Sequence, residues 1–116
     1  MLRLFAEVGW WPDRTAGDVA AVLGSGPAVG AWDGDQLVGF ARAISDGRVR
    51  AYIEDVVVAG SHRQAGLGRA LIETLNAELA GLDVVSVFFH RDLEGFYGSL
   101  GYVPTKQVCA HLRRPR

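Results

Sequence analysis

Two carboxylates, Glu54 and Asp55, sit at the head of an apolar run in "YIEDVVV", which passes through a loop with Arg63, Gly66, Gly68 and Arg69 into a helix-like segment. Such a junction is suited to anions. A helix start presents backbone N–H groups without intrahelical partners and about +0.5 of an elementary charge from the macrodipole. Glycines at 66 and 68 would let the backbone approach a phosphate closely, while Arg63 and Arg69 add charge. Plainer roles exist for each group: the glycines also permit a tight turn, and the carboxylates could pair with Arg42, Arg48 or Arg50.

Three anion-binding patterns compete for "GSHRQAGLGRA". A Walker loop needs G-x-x-x-x-G-K-[ST], but five residues separate Gly60 from Gly66, and Leu67-Gly68 stand where Lys and Ser/Thr belong. A dinucleotide fingerprint, G-x-G-x-x-G, begins at Gly66-Leu67-Gly68 and then meets Leu71 at its third position. The pattern R-x-x-G-x-G is matched in full by Arg63-Gln64-Ala65-Gly66-Leu67-Gly68.

The elements that would hold these groups are readable from period and punctuation. Leu2, Leu4, Phe5 and Val8 suggest a short helix over 2–8, and Thr15 with Asp18 can cap a second helix ending at Gly24. Asp33-Gly34-Asp35 and Ser45-Asp46-Gly47 mark two tight turns, giving a meander of strands over 28–32, 36–44 and 50–58. Leu67, Leu71, Ile72, Leu75 and Leu79 follow at helical spacing. "VVSVFF", Val84 to Phe89, reads as a strand covered on both faces. Asp92 is placed to cap a last helix stopped by Gly101, and Tyr102 to Leu112 reads as a closing strand interrupted at Pro104. The expected fold is a mixed α/β (α+β) domain with one central sheet flanked by helices, in the order ααβββαβαβ. The crossover through Leu67–Leu79 returns parallel to the strand that feeds it.

Composition narrows the class. The 116 residues read as a single domain over 1–116, and 49% hydrophobic content can supply a core. A net charge of −1 gives no electrostatic footprint for nucleic acid; the terminal Arg113, Arg114 and Arg116 read as a solvated end. The lone Cys109 excludes an internal disulfide, and no apolar run suits a membrane span or signal peptide, so a cytoplasmic protein is expected. The scattered histidines lack metal-ligand spacing.

"RQAGLG" after "YIEDVVV", followed some thirty residues later by "FYGSLGY", resembles the GCN5-related N-acetyltransferase (GNAT) family over nearly the whole chain. The resemblance implies acetyl-CoA as cosubstrate. Val56, Val57 and Val58 would form the strand rail for its pantetheine arm, and Arg63, Gln64, Ala65, Gly66, Leu67, Gly68 and Arg69 the pyrophosphate cradle. It also implies that Tyr97 lies near the thioester sulfur. Family members usually begin with a strand ahead of the first helix. This chain starts at that helix, so an exposed sheet edge is expected, suited to a homodimer or leaving part of the substrate side open.

Transfer of acetyl to a primary amine, of a small molecule or a peptide, needs the amine neutral. A lysine-like pKa of about 10.4 puts that state roughly 4.6 kcal/mol uphill at pH 7, whereas protonating a thiolate of pKa about 8.5 gains only roughly 2 kcal/mol. A base therefore outranks an acid. Strict alternation puts Glu54 on the face of Val56, beside the expected thioester, with Asp55 on the other face unless a bulge re-aims it. The strand also resembles that of polyamine-type family members, where a glutamate at this place is thought to be the base. Tyr97 could donate to the sulfur or simply pack beside Phe96 and Tyr102. Trp10, Trp11 and Trp32 could line an acceptor pocket or the core, and His62 and His90 read as surface residues. A noncatalytic acyl-CoA-binding module and a small nucleotide-binding domain remain as other classes.

Overall fold

The computed structural model describes residues 3–4, 15–63 and 66–113. Of the first expected helix only Arg3 and Leu4 are described, and both are helical. Trp10, Trp11, Gln64 and Ala65 lie outside the described residues. The first complete helix, α1, runs Ala16–Leu23, and Thr15 caps it as its sequence implies. The Thr15 hydroxyl accepts from the Asp18 N–H at 3.2 Å, and the Asp18 carboxylate accepts from the Thr15 N–H at 3.0 Å. This satisfies two donors at the helix start.

The meander follows as β1, Ala28–Asp33, β2, Gln36–Ser45, and β3, Arg50–Val58. Gly34 and Gly47 supply the positive φ values of the two turns, 64° and 74°. Ahead of β1, Gly26 lies flat on β2. A Cβ there would stand 2.2 Å from the Ala43 carbonyl oxygen, so only glycine fits. In the β2–β3 turn, Asp46 accepts from three backbone N–H groups, those of Arg48 and Val49 at 2.8 Å and of Arg50 at 3.2 Å. These bonds hold the Asp46 carboxyl below the ordinary carboxylate range. The stability they contribute is present above the unfolded-state pKa and is lost as pH falls through the lower folded-state value. Asp46→Ala should therefore depress the melting temperature at pH 7 and have little effect at pH 2, as read by circular dichroism.

Helix α2, Leu67–Glu78, crosses one face of the sheet, and β4, Val84–Val87, returns parallel to β3. The sheet order is β1-β2-β3-β4. Leu71, Ile72 and Leu75 of α2 pack on Ala41, Ala43, Ala51 and Ile53, while Leu4, Val38, Phe40, Val57 and Ala59 form a second cluster on the opposite face. A short helix α3, Glu94–Ser99, follows a 3-10 turn at Arg91–Leu93.

Three expectations need correction. β4 stops at Val87 and is not covered on both faces: Val84 and Phe88 are exposed. Asp92 lies inside the 3-10 turn, whose cap is His90, and Leu93 precedes α3 without a side-chain cap. Residues 102–113 form no strand. Tyr102 is held by its hydroxyl on Asn76 and its N–H on the Tyr97 carbonyl, but the residues after it find no ladder, and Val103, Val108 and Leu112 stay exposed. Alternating apolar residues favour a strand only when a sheet edge pairs with them.

Candidate active site

The site begins with a bulge in β3. Arg42 pairs with Glu54 and Phe40 with Val57, so Asp55 and Val56 together face Ala41 alone. Asp55 adopts φ 56°, a left-handed conformation that aspartate tolerates better than most residues. The extra residue reverses the alternation beyond it. Ile53, Val56 and Val58 pack toward α2, whereas Glu54 shares the opposite face with Arg42 and Val57. The expectation that Glu54 and Val56 share a face thus fails, because the two-residue period does not survive a bulge. Asp55 is swung under Arg42, whose Nε donates to its Oδ2 at 2.5 Å; the two side chains are 9% and 10% exposed.

β3 and β4 pair from Arg50–Val84 to Ile53–Val87 and then part. Beyond Ile53, the edge of β3 that faces β4 has no strand partner among the described residues, leaving peptide groups open to a ligand. The parting opens a groove of about 600 Å³ lined by Glu54, Asp55, Val56, Phe88, Phe89, His90, Leu93 and Tyr97, with Ile53 and Val87 at its base. A larger groove of about 960 Å³, between β4 and residues 100–110, contains neither Glu54 nor Tyr97. Glu54 and Tyr97 meet in the smaller one.

The Glu54 carboxylate makes no hydrogen bond or ion pair with the described residues. Partial burial and the neighbouring Asp55 raise its carboxyl above the ordinary range, against smaller opposing effects of Arg42 and His111. It is a carboxylate poised to take a proton. Tyr97, on α3, is buried, stacked on Phe89 at 4.6 Å and met edge-on by Phe96 at 5.0 Å and Tyr102 at 5.9 Å. Burial, with Tyr102 nearby, raises its phenol, which keeps its proton through neutral pH and can donate it.

β3 runs on from Glu54 to its end at Val58, at most roughly 13 Å away by strand rise, and the chain then enters α2 at Leu67. Gly66 precedes the helix at φ 76°, which explains glycine there. The N–H groups of Leu67, Gly68 and Arg69 precede the first helical bond, from Ala70 N–H to the Gly66 carbonyl, and are available to an anion. A Cβ at Gly68 would meet only Phe96, at an ordinary 3.7 Å, so packing does not demand glycine at this position. An open helix start of this kind, reached by an unpaired strand edge, fits a pyrophosphate joined to an extended arm.

The arginines contribute less than their charges suggest. Arg63 Nε donates to the Val58 carbonyl at 3.2 Å, and Arg69 is drawn along the helix to Glu73 at 3.0 Å and Ser99 Oγ at 2.6 Å. For Arg69 the backbone N–H, not the guanidinium, is the group aimed at the helix start. His62 ties Ser61 to Asp33 at 2.7 and 3.0 Å, away from the groove, whereas His90 lines it. Trp32 is 65% exposed. Sequence reasoning missed Arg42 as the clamp on the bulge; its only signal was a charge inside the apolar run "LVGFARAI".

Comparison with known proteins gives a consistent result. Residues 25–104 match the acetyltransferase (GNAT) domain. The chain is 34% identical to a histone acetyltransferase of Glycine max over 115 residues, covering 87% of this chain and 50% of that protein. It is 43% identical to serotonin N-acetyltransferase 2, chloroplastic, of Oryza sativa over 67 residues, 56% of this chain and 34% of that one. The chain therefore spans half or less of these relatives. An acetyltransferase structure from Trypanosoma brucei superposes with a TM-score of 0.70 at 28% identity, covering 99% of this chain and 87% of that one.

Proposed function

Because the chain belongs to the GNAT acetyltransferase family, we propose that it transfers the acetyl group of acetyl-CoA to a primary amine by direct attack in a ternary complex. The observation that carries this reading is the parting of β3 from β4 after Ile53 and Val87, which puts an unpartnered carboxylate and a protonated phenol on one groove. The N–H groups of Leu67, Gly68 and Arg69 bind the pyrophosphate, and the open edge of Glu54 to Val58 orients the pantetheine arm. Acetyl-CoA supplies an acyl group activated by its thioester.

Glu54 takes a proton from the ammonium of the acceptor, directly or through one water. The freed nitrogen forms a bond to the carbonyl carbon, the carbon–sulfur bond breaks, and the sulfur takes the Tyr97 proton; the second proton of the nitrogen then returns to the Tyr97 phenolate, leaving a neutral amide, and Glu54 gives its proton to solvent. No protein nucleophile is needed. Cys109 is exposed and does not border the groove.

Calorimetric titration tests the ligand. Acetyl-CoA should bind with a Kd between about 1 µM and 1 mM, the range common for enzyme substrates, and more tightly than ATP or NAD. Gly68→Trp, which fills the open helix start, should weaken it by about tenfold or more, at least 1.4 kcal/mol. Absence of binding by the unmodified protein at millimolar acetyl-CoA would overturn the reading.

A further inference from the structure

On the face of the sheet that carries Glu54, three large apolar side chains are exposed in a row. Ile44 of β2 stands opposite Tyr52 of β3 in the strand register, and Phe88, just beyond β4, stacks on Tyr52 with ring centroids 5.8 Å apart and planes 14° from parallel. Their exposures are 42%, 36% and 56%. Rings of this size ordinarily go to the core, where their burial stabilises the fold most. Here they form a shelf in solvent. The shelf is not remote from the chemistry: Phe88 also lines the groove that holds Glu54. Tyr52 precedes Glu54 by two residues on the same face, a step of roughly 7 Å along the strand.

The charges beside the shelf define the other end of a ligand. Glu54 and Asp55 provide two carboxylates, Arg42 bonds to one, and Glu54 remains unpartnered among the described residues. A molecule spanning both regions would carry a cation at one end and a flat apolar body at the other. We propose that the acceptor is a primary amine linked by a short chain to an aromatic or comparably flat apolar group, its nitrogen at Glu54 and its body on Ile44, Tyr52 and Phe88. This rests on the transferase reading above. A polyamine would instead need a second carboxylate about one short chain away, whereas Ile44, Tyr52 and Phe88 present an apolar surface.

The test compares phenethylamine, propylamine and putrescine at saturating acetyl-CoA, following thiol release and the mass of the acetylated amine. All three present an alkylammonium to Glu54, so their differences report the rest of the molecule. Phenethylamine should exceed both others by about tenfold or more in kcat/KM, the scale at which apolar contacts discriminate substrates. In Tyr52→Ala/Phe88→Ala the ratio of phenethylamine to propylamine should collapse toward unity. The single variant Phe88→Ser, at the most exposed of the three positions, should shift the ratio in the same direction, and retained acetyl-CoA binding certifies the fold of each variant. Equal rates for the amines, faster turnover of putrescine, or a ratio that survives in the variants overturns this inference alone. Bound acetyl-CoA without turnover of any amine overturns the transferase reading, and this inference with it.

Discussion

Glu54→Gln is expected to lower kcat for a basic amine by about 10²- to 10⁴-fold, the usual contribution of a positioned general base. The amide retains the shape of the side chain and cannot accept the proton. The pH profile separates this from a packing effect. Burial and Asp55 hold the Glu54 carboxyl above the ordinary range, so the wild-type rate should fall as pH drops through that raised value, before an ordinary carboxylate would titrate. The Gln variant should lose this acid limb.

Stability should move the other way. A carboxyl whose folded-state pKa exceeds its unfolded value favours folding at low pH, and that contribution is lost as pH rises through the folded-state pKa. At neutral pH the ionised Glu54 is thus a strain on the fold, and Gln should leave the melting temperature unchanged or raised. A slow variant that melts no earlier is the signature of a base held at a cost in stability. An unchanged pH profile would remove Glu54 from the role.

Asp55→Ala carries the second large effect, on the fold itself. It withdraws the ion-pair partner that Arg42, 7% exposed, has among the described residues, and breaking a buried pair in this way costs about 3–5 kcal/mol. The lower figure is expected, since Ser25 Oγ at 3.4 Å and the Glu54 charge still face the guanidinium. Alanine also tolerates φ 56° poorly, adding roughly 1–2 kcal/mol. Asp55→Asn keeps a hydrogen-bond acceptor and a residue at ease in the left-handed region, and should lose much less. Chemical denaturation of both variants measures the difference; equal losses would mean that the side chain does not hold the bulge. Because Asp55 also lines the groove beside Glu54, Asp55→Ala should lose activity beyond what its unfolding explains.

Much of this architecture is legible in the sequence because it is written locally. Asp33-Gly34-Asp35 and Ser45-Asp46-Gly47 carry their own turn chemistry, Thr15 and Asp18 carry a capping box, and Leu71, Ile72 and Leu75 keep helical spacing. Apart from the cap assigned to Asp92, the misreadings are of non-local origin. "YIEDVVV" is apolar on both sides of its carboxylates, so no change of hydrophobic period betrays the bulge that puts Glu54 and Val56 on opposite faces. The bulged Asp55 takes its partner from Arg42, thirteen residues away. "VVSVFF" reads as one strand, but Phe88 departs where β3 and β4 part, and Tyr102–Leu112 has strand composition without a strand to pair with. The glycine turn into α2 is legible as a backbone pattern; that Arg69 spends its charge on Glu73 and Ser99 is not, since a side chain's partner is a tertiary fact.

Acetyl transfer itself is tested most directly by incubating the protein with acetyl-CoA and a panel of primary amines while counting thiols and acetylated products by mass spectrometry. Direct attack in a ternary complex predicts one acetylated amine for each thiol released, release that requires both substrates, and no acetylated protein. Thiol release that ignores the amine, or an acetylated protein that passes its acetyl group on after acetyl-CoA is removed, would contradict it.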